Sequence, residues 1–208
     1  MDHGLVSLIS SGALGLALLA GAPSQDDRAY FPLSLREMTM NCADFGPGSR
    51  RAVLSDFAAD WYGRHLRAAG EAPLFAASGP TLRFTLLRSF QAPVVIRLDT
   101  AADGTMTMTA TELSGKGGFE PGTVARRIER RLSAREAAAV RRVLEETAVL
   151  AQEPGECSLG LDGAQWIVES AGPEGYRFVN RWSPGDGPVR ELGVHLIGLT
   201  RWRYRSLY

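Results

Sequence analysis

The chain has 208 residues, of which 45% are hydrophobic and 22% are charged, and its 23 basic and 23 acidic side chains leave a formal net charge of zero. This composition is typical of a globular protein with one domain or two small ones. The charge balance argues against nucleic acid, and against an anionic membrane surface, as a partner held by bulk electrostatics.

An uncharged apolar segment lies near the start of the chain. Residues 5–22 read LVSLISSGALGLALLAGA and end in the small-x-small pattern that a signal peptidase accepts. We predict an export signal over residues 1–22, and therefore a location in the periplasm or cell envelope. The alternative is an uncleaved membrane anchor, because the segment reaches the lower end of the roughly 17 to 25 residues that span a bilayer.

A turn-rich stretch separates this segment from the first regular pattern. Residues 23–48 show no sustained hydrophobic period, so we predict an irregular lead-in there and a single α+β domain over residues 49–208. A first helix over residues 50–69 is predicted from helical spacing. The residues that carry this spacing are Leu54, Phe57, Ala58, Trp61 and His65.

Apolar and polar residues alternate in the next three segments, TLRFTLLRSF, PVVIRLDT and TMTMTATE. This period of two predicts strands, and the short turns SFQAP and AADG leave no room for a parallel crossover. We therefore expect an antiparallel meander. Residues 123–132 fit either a fourth strand or an amphipathic helical turn, and we favour the strand.

A helix to about residue 148 is predicted next, because Ser133 and Glu136 form the S-x-x-E capping box. Seven arginines lie between residues 126 and 142, but glutamates interleave with them. This pattern favours a solvated, ion-paired face over a binding site for an anion.

The stretch LDGAQWIVESAGPEGYRFVNRWSPGDG resembles a hairpin with its loop at residues 171–175. That register places Glu169 opposite Arg177, and Trp166 on one face with Phe178 and Trp182. A C-terminal helix is expected to follow, with Asp186 as its cap and Pro188 in its first turn. The predicted fold is thus α+β, an antiparallel meander sheet of five to six strands with a helix near each end.

The chain contains two cysteines, Cys42 and Cys157. In an oxidising compartment they would join the segment before the first helix to the loop before the hairpin. The alternative is a pair of unrelated, partly buried thiols. A catalytic cysteine is disfavoured, because neither residue has a histidine close by in sequence.

The block GLDGAQWIVE followed by YRFVNRWSP, together with RFTLLRSFQAPVVIRL and HLRAAGEAPL, resembles a recurrent set of uncharacterised bacterial proteins that often carry export signals. The resemblance covers most of the chain after residue 55. It implies the domain boundaries given above and a location in the cell envelope. The family has no established activity, so the resemblance implies no catalytic residue.

No complete catalytic or cofactor motif occurs in the sequence. Of the three histidines, His65 is expected in the core and His195 in a surface pair with Glu191. No metal-binding spacing is present, and GKGGFEPG lacks the full phosphate-binding pattern, so we predict a flexible connection there. We predict neither a metal nor a cofactor.

Two classes of function remain. In the enzyme hypothesis, a hydrolase-like site uses the carboxylates of Asp162 and Glu169 on a polar substrate, although a turn residue and a sheet-surface pair explain them more simply. We favour a noncatalytic binding module, or an accessory subunit of a larger assembly, that binds a protein partner. Its predicted binding residues are Trp166, Arg177, Arg181 and Trp182. An exported inhibitor or immunity-like protein is a further alternative with the same binding prediction.

Overall fold

A computed structural model describes Met1 and residues 26–158 and 160–208. Beyond Met1, the predicted export signal lies outside the described residues. Among the helices of the described part, none combines the length and the apolar character needed to cross a membrane.

The N-terminal segment is folded against the rest of the domain. It contains helix α1 (Leu33–Glu37) and strands β1 (Thr39–Asn41) and β2 (Arg50–Ala52), which pair in an antiparallel two-stranded sheet. Tyr30 and Phe31 are buried beside these elements. The part of the expected lead-in that is described, residues 26–48, therefore contributes to the core, although its elements are too short to produce a hydrophobic period.

Helix α2 (Asp56–Ala68) begins later than predicted. Residues 50–52 belong to β2, and the side chain of Ser55 caps the helix by accepting a hydrogen bond from the Ala58 backbone N at 3.1 Å. The buried face also differs from the predicted one. It carries Ala59, Tyr62 and Leu66 besides His65, whereas Phe57 is exposed.

The main sheet has six strands, and every neighbouring pair is antiparallel. Its spatial order is β6-β5-β4-β3-β7-β8. The strands are β3 (Thr81–Arg88), β4 (Val94–Thr100), β5 (Met106–Leu113), β6 (Val124–Arg131), β7 (Ala164–Ala171) and β8 (Arg177–Trp182). The α+β class, the antiparallel sheet and the fourth strand are confirmed. The meander covers β3 to β6, after which the chain returns to pair β7 with β3.

Helices α3 (Ala134–Thr147) and α4 (Pro188–Thr200) cover one face of the sheet. The capping box of α3 is confirmed, and hydrogen bonds from Arg130 and then from Ser133 lower the pKa of Glu136 to about 2. Pro188 occupies the first turn of α4, as predicted. Asp186 does not cap this helix, because the N-cap position is taken by Gly187, whose φ of 85° suits glycine.

The other face of the sheet is covered by α2 and the N-terminal segment. Tyr62 and Leu66 pack there against Leu87, Val95 and Ile167. Because helices lie on both sides, every residue of β3 is buried. The sheet is the middle layer of three, and no face of its central strands remains open to solvent.

The register of the β7–β8 hairpin differs by one residue from the predicted one. Glu169 lies opposite Phe178, and Trp166 lies opposite Arg181, with the loop at residues 172–176. A slip of one residue moves every side chain of a strand to the other face. Phe178 and Trp182 therefore point toward α2, on the face opposite to Trp166.

A disulfide joins Cys42 to Cys157 across 115 positions of sequence, with their Cα atoms 5.4 Å apart. It connects the N-terminal segment to the long connection that precedes β7. This covalent link holds the connection beside β1.

Candidate functional site

Glu169 does not pair with Arg177. It is fully buried and accepts two hydrogen bonds from Arg83 on the adjacent strand, from Nε at 2.9 Å and from Nη2 at 2.8 Å. Tyr176 donates its hydroxyl to the same carboxylate at 2.8 Å, and burial followed by this negative charge raises the pKa of Tyr176. The carboxylate thus accepts three hydrogen bonds, all from buried or partly buried protein groups.

The Arg83–Glu169 ion pair is part of a network of hydrogen bonds and ion pairs beneath residues 70–76. Arg83 donates from Nη1 to the Ala72 carbonyl at 2.7 Å. Arg97 donates to Glu71 at 3.0 Å and to Asp99 at 2.9 Å. Burial works against the guanidinium charge of Arg83, but the carboxylate of Glu169 raises its pKa overall. These bonds fix the segment after α2 on the sheet.

The four predicted binding residues do not form one surface. Trp166 is fully buried and donates from Nε1 to the Tyr208 carbonyl at 3.0 Å. Arg181 donates to Gln152 Oε1 at 3.2 Å and to the Glu153 carbonyl at 3.0 Å, so it ties the connection before β7 to β8. Arg177 is exposed on the other side of the sheet from Trp182.

Trp182 and Asp162 do share a cleft, with a volume of about 590 Å³. It lies between the outer face of α2 and the loops at one end of the sheet. Four large apolar side chains protrude around it. Their exposed fractions are 74% for Phe57, 49% for Phe90, 56% for Phe119 and 98% for Leu161. We call this feature the aromatic cleft.

Aromatic pairs form two walls of the cleft. On α2 the ring centroids of Phe57 and Trp61 are 6.1 Å apart, and on the loops those of Phe90 and Phe119 are also 6.1 Å apart. Trp182 adds a further ring. Exposed apolar side chains gathered at one place are typical of an interaction site, since folding alone would bury them.

The loop that carries Phe119 is held closely against β3. Gly117 donates to the Gln91 carbonyl at 3.0 Å, and Trp61 Nε1 donates to the Gly117 carbonyl at 2.7 Å. A methyl group at position 117 would lie 2.5 Å from the backbone N of Arg88. Gly117 thus permits this close approach. We predicted a flexible connection at GKGGFEPG, whereas backbone hydrogen bonds hold this loop against β3.

His65 lies beneath the same loop and is fully buried, which confirms the predicted core position. Its Nδ1 is 2.8 Å from the Trp61 carbonyl, and its Nε2 is 3.4 Å from the Lys116 carbonyl. Burial lowers the pKa of His65, so the ring is neutral at pH 7. Because the ring has no exposed surface, it is not accessible to a ligand in the cleft.

The rim of the cleft is polar. Arg64 lies 3.4 Å from both Asp60, four positions earlier on α2, and Glu120. Asp162 is exposed, and it has no cationic partner within 4.0 Å among the described residues. The described residues also contain no group of three or more His, Cys, Asp or Glu side chains suited to a metal ion.

Sequence reasoning missed the four protruding residues of the cleft, because Phe57 was assigned to the apolar spacing of the first helix and Phe90, Phe119 and Leu161 were given no site role. Phe90, Phe119 and Leu161 lie in connections outside the helices and strands, although Phe90 also continued the apolar alternation of the segment before it. A large apolar side chain in such a connection was the available signal.

No protein-family model and no curated protein matches the chain.

Proposed function

We propose that this protein is an exported, noncatalytic module of the bacterial cell envelope that binds a protein partner through the aromatic cleft. The observation that carries the proposal is the cluster of Phe57, Phe90, Phe119 and Leu161, which protrude around one cleft. Aromatic side chains are enriched at the centres of protein interfaces, where they bury a large area at small entropic cost.

The geometry disfavours a hydrolase that uses Asp162 and Glu169 together. Glu169 lies five positions beyond Ala164, the first residue of β7, and a strand rises about 3.3 Å per residue. Glu169 is therefore about 16 Å from the start of β7, and of the two carboxylates only Asp162 lines the aromatic cleft. Glu169 is also enclosed by Arg83 and Tyr176, out of reach of a substrate.

The compartment is inferred from two independent features. The apolar residues 5–22 have the pattern of an export signal. The Cys42–Cys157 disulfide is of a kind that persists in oxidising environments such as the periplasm. The resemblance to exported bacterial proteins, which covers most of the chain after residue 55, supports the same location.

Site-specific photo-cross-linking tests this function. The photoreactive residue p-benzoylphenylalanine replaces Phe57 or Phe119, one at a time, in the full chain expressed in its native cells. A matched control places it at Arg135, which is exposed on the opposite side of the sheet. We expect a discrete protein adduct from both cleft positions and none from position 135.

The opposite results would overturn the proposal. Absence of an adduct at both cleft positions, or the same adducts from position 135, would show that the cleft does not contact a partner specifically. Intact-mass measurement of the same samples reads N-terminal processing. A full-length chain would count against cleavage of the export signal and in favour of the anchor.

A further inference from the structure

The ionisable side chains that line the aromatic cleft carry an excess of negative charge. Glu120 and Asp162 are acidic, and Arg64 is basic. Arg64 is already shared between Asp60 and Glu120, each at 3.4 Å. Asp162 therefore presents its charge to the cleft without a cation from the described residues to neutralise it. An occupant that brings a positive charge would complete this arrangement.

The aromatic rings that line the cleft together with Asp162 favour the same kind of occupant. The face of an aromatic ring is electronegative and attracts ammonium and guanidinium groups. Phe119 already has the ammonium of Lys116 at 5.9 Å from its ring centroid, on the exposed loop. Guanidinium groups stack on aromatic rings and also bind carboxylates, so an arginine side chain fits both features of the cleft.

Two other occupants fit less well. In a two-fold dimer the same patch faces itself, which would bring Asp162 and Glu120 against their own copies. An anionic membrane surface would be repelled by the same two carboxylates. The volume of about 590 Å³ is in the range of sites for small ligands and suits a few side chains of a peptide.

We propose that the cleft binds a short apolar segment of a partner polypeptide whose basic side chain, arginine or lysine, reaches the Asp162 carboxylate across the aromatic rings. This inference rests on the proposed function, because it assumes that the cleft is the site of protein binding. It adds the chemistry by which the partner is selected.

A library of random dodecapeptides displayed on phage provides the probe. The library is selected on the full, oxidised chain and depleted on the double variant Phe57→Ser/Phe119→Ser, whose folding is checked by circular dichroism. We expect the selected peptides to carry arginine or lysine beside apolar residues. Asp162→Asn should weaken their binding about three- to fivefold, which is the size of an exposed charge contact. The matched control, Glu145→Gln on the exposed face of α3, should not change it.

The failure of this inference can be told apart from failure of the proposed function. Neutral or acidic peptides that need Phe57 and Phe119, or basic peptides that ignore Asp162→Asn, would overturn the basic-segment proposal and leave protein binding intact. If no selected peptide depends on the two phenylalanines, the cleft does not take a linear segment. The cross-linking experiment then decides independently whether it contacts a folded partner.

Discussion

Arg83 and Glu169 form a bidentate ion pair between strands β3 and β7, with both side chains buried and 86 positions apart in sequence. A buried pair of this kind is costly to break, because removal of one partner leaves an uncompensated charge away from water. The pair therefore specifies how β7 is placed beside β3. It also leaves the Glu169 carboxylate with almost no surface exposed to solvent.

We expect Glu169→Gln to lower the free energy of unfolding by about 3 kcal/mol. Arg83 would lose its bidentate carboxylate partner and keep only the buried Glu71 carboxylate, whose Oε2 is 3.6 Å from Arg83 Nη1. Urea denaturation followed by circular dichroism measures this change. The control is Arg177→Gln, which alters an exposed side chain and should shift stability by less than about 0.5 kcal/mol. Equal stability of the Glu169→Gln variant and the wild type would contradict the buried pair.

Loss of the Cys42–Cys157 disulfide should lower the free energy of unfolding by about 2 to 4 kcal/mol, because the bond closes a long loop and restricts the unfolded chain. The double variant Cys42→Ser/Cys157→Ser is compared with the wild type by urea denaturation. A reductant should destabilise the wild type and leave the double variant unchanged. Alkylation of both cysteines in the native, nonreduced protein would show that the bond is absent.

Gly63 and Gly198 provide a matched pair of helical glycines. A methyl group at position 63 would overlap the Asp27 carbonyl, so Gly63→Ala should destabilise the protein by about 1 to 3 kcal/mol. Position 198 is exposed, and outside its chain neighbours and the backbone of its own helix no atom lies within 4 Å of such a methyl group. Gly198→Ala should therefore stabilise α4 by about 0.5 to 1 kcal/mol. Thermal unfolding of both variants tests the packing of residues 27–30 on α2, and similar effects from the two would refute it.

The stability of the protein should fall as the pH is lowered from 7 to 5. Burial holds the pKa of His65 below its ordinary value of 6.5, so below that pH the unfolded chain binds more protons than the folded one. The pKa of His195 is lowered for the same reason, first by burial and then by Arg142. Glu136 contributes only at lower pH, since its stabilisation is present above 4.5 and is lost as the pH falls toward about 2.

The variant His65→Asn isolates the contribution of His65 to the pH dependence of stability. Asparagine retains a donor for the Trp61 carbonyl but does not titrate in this range. Urea denaturation at pH 7, 6 and 5 should show a smaller pH dependence in the variant than in the wild type. An unchanged dependence would mean that His65 does not bind fewer protons in the folded state.

Local patterns predicted most of the secondary structure. The capping box of Ser133 and Glu136 marked the start of α3, and alternation marked strands β3 to β5. The start of α2 was predicted too early, because apolar residues before Ser55 extend the helical spacing. Capping boxes and apolar periods involve residues that are close together in sequence. They can therefore be recognised without knowledge of the tertiary structure.

The hairpin register was wrong because both faces of β7 are buried. In a strand with one face toward solvent, the alternation of polar and apolar residues shows which side chains point inward. Both faces of β7 are apolar or paired, so its sequence pattern does not distinguish two registers that differ by one residue. The partner of Glu169 was likewise assigned to the neighbouring strand. The true partner, Arg83, lies on β3, with which β7 pairs only after the chain has passed through β4, β5, β6 and α3.

The sequence by itself determined the α+β class, the antiparallel pairing of β3 to β6 and the termini of α3, because short-range periodicity and capping decide these features. Only the tertiary structure decided that Trp166 is buried while Trp182 lines a cleft. It also decided that Phe57, Phe90 and Phe119, which are far apart in the chain, meet there. The physical reason is that burial depends on which layers pack on each face of the sheet, and that is a property of the whole fold.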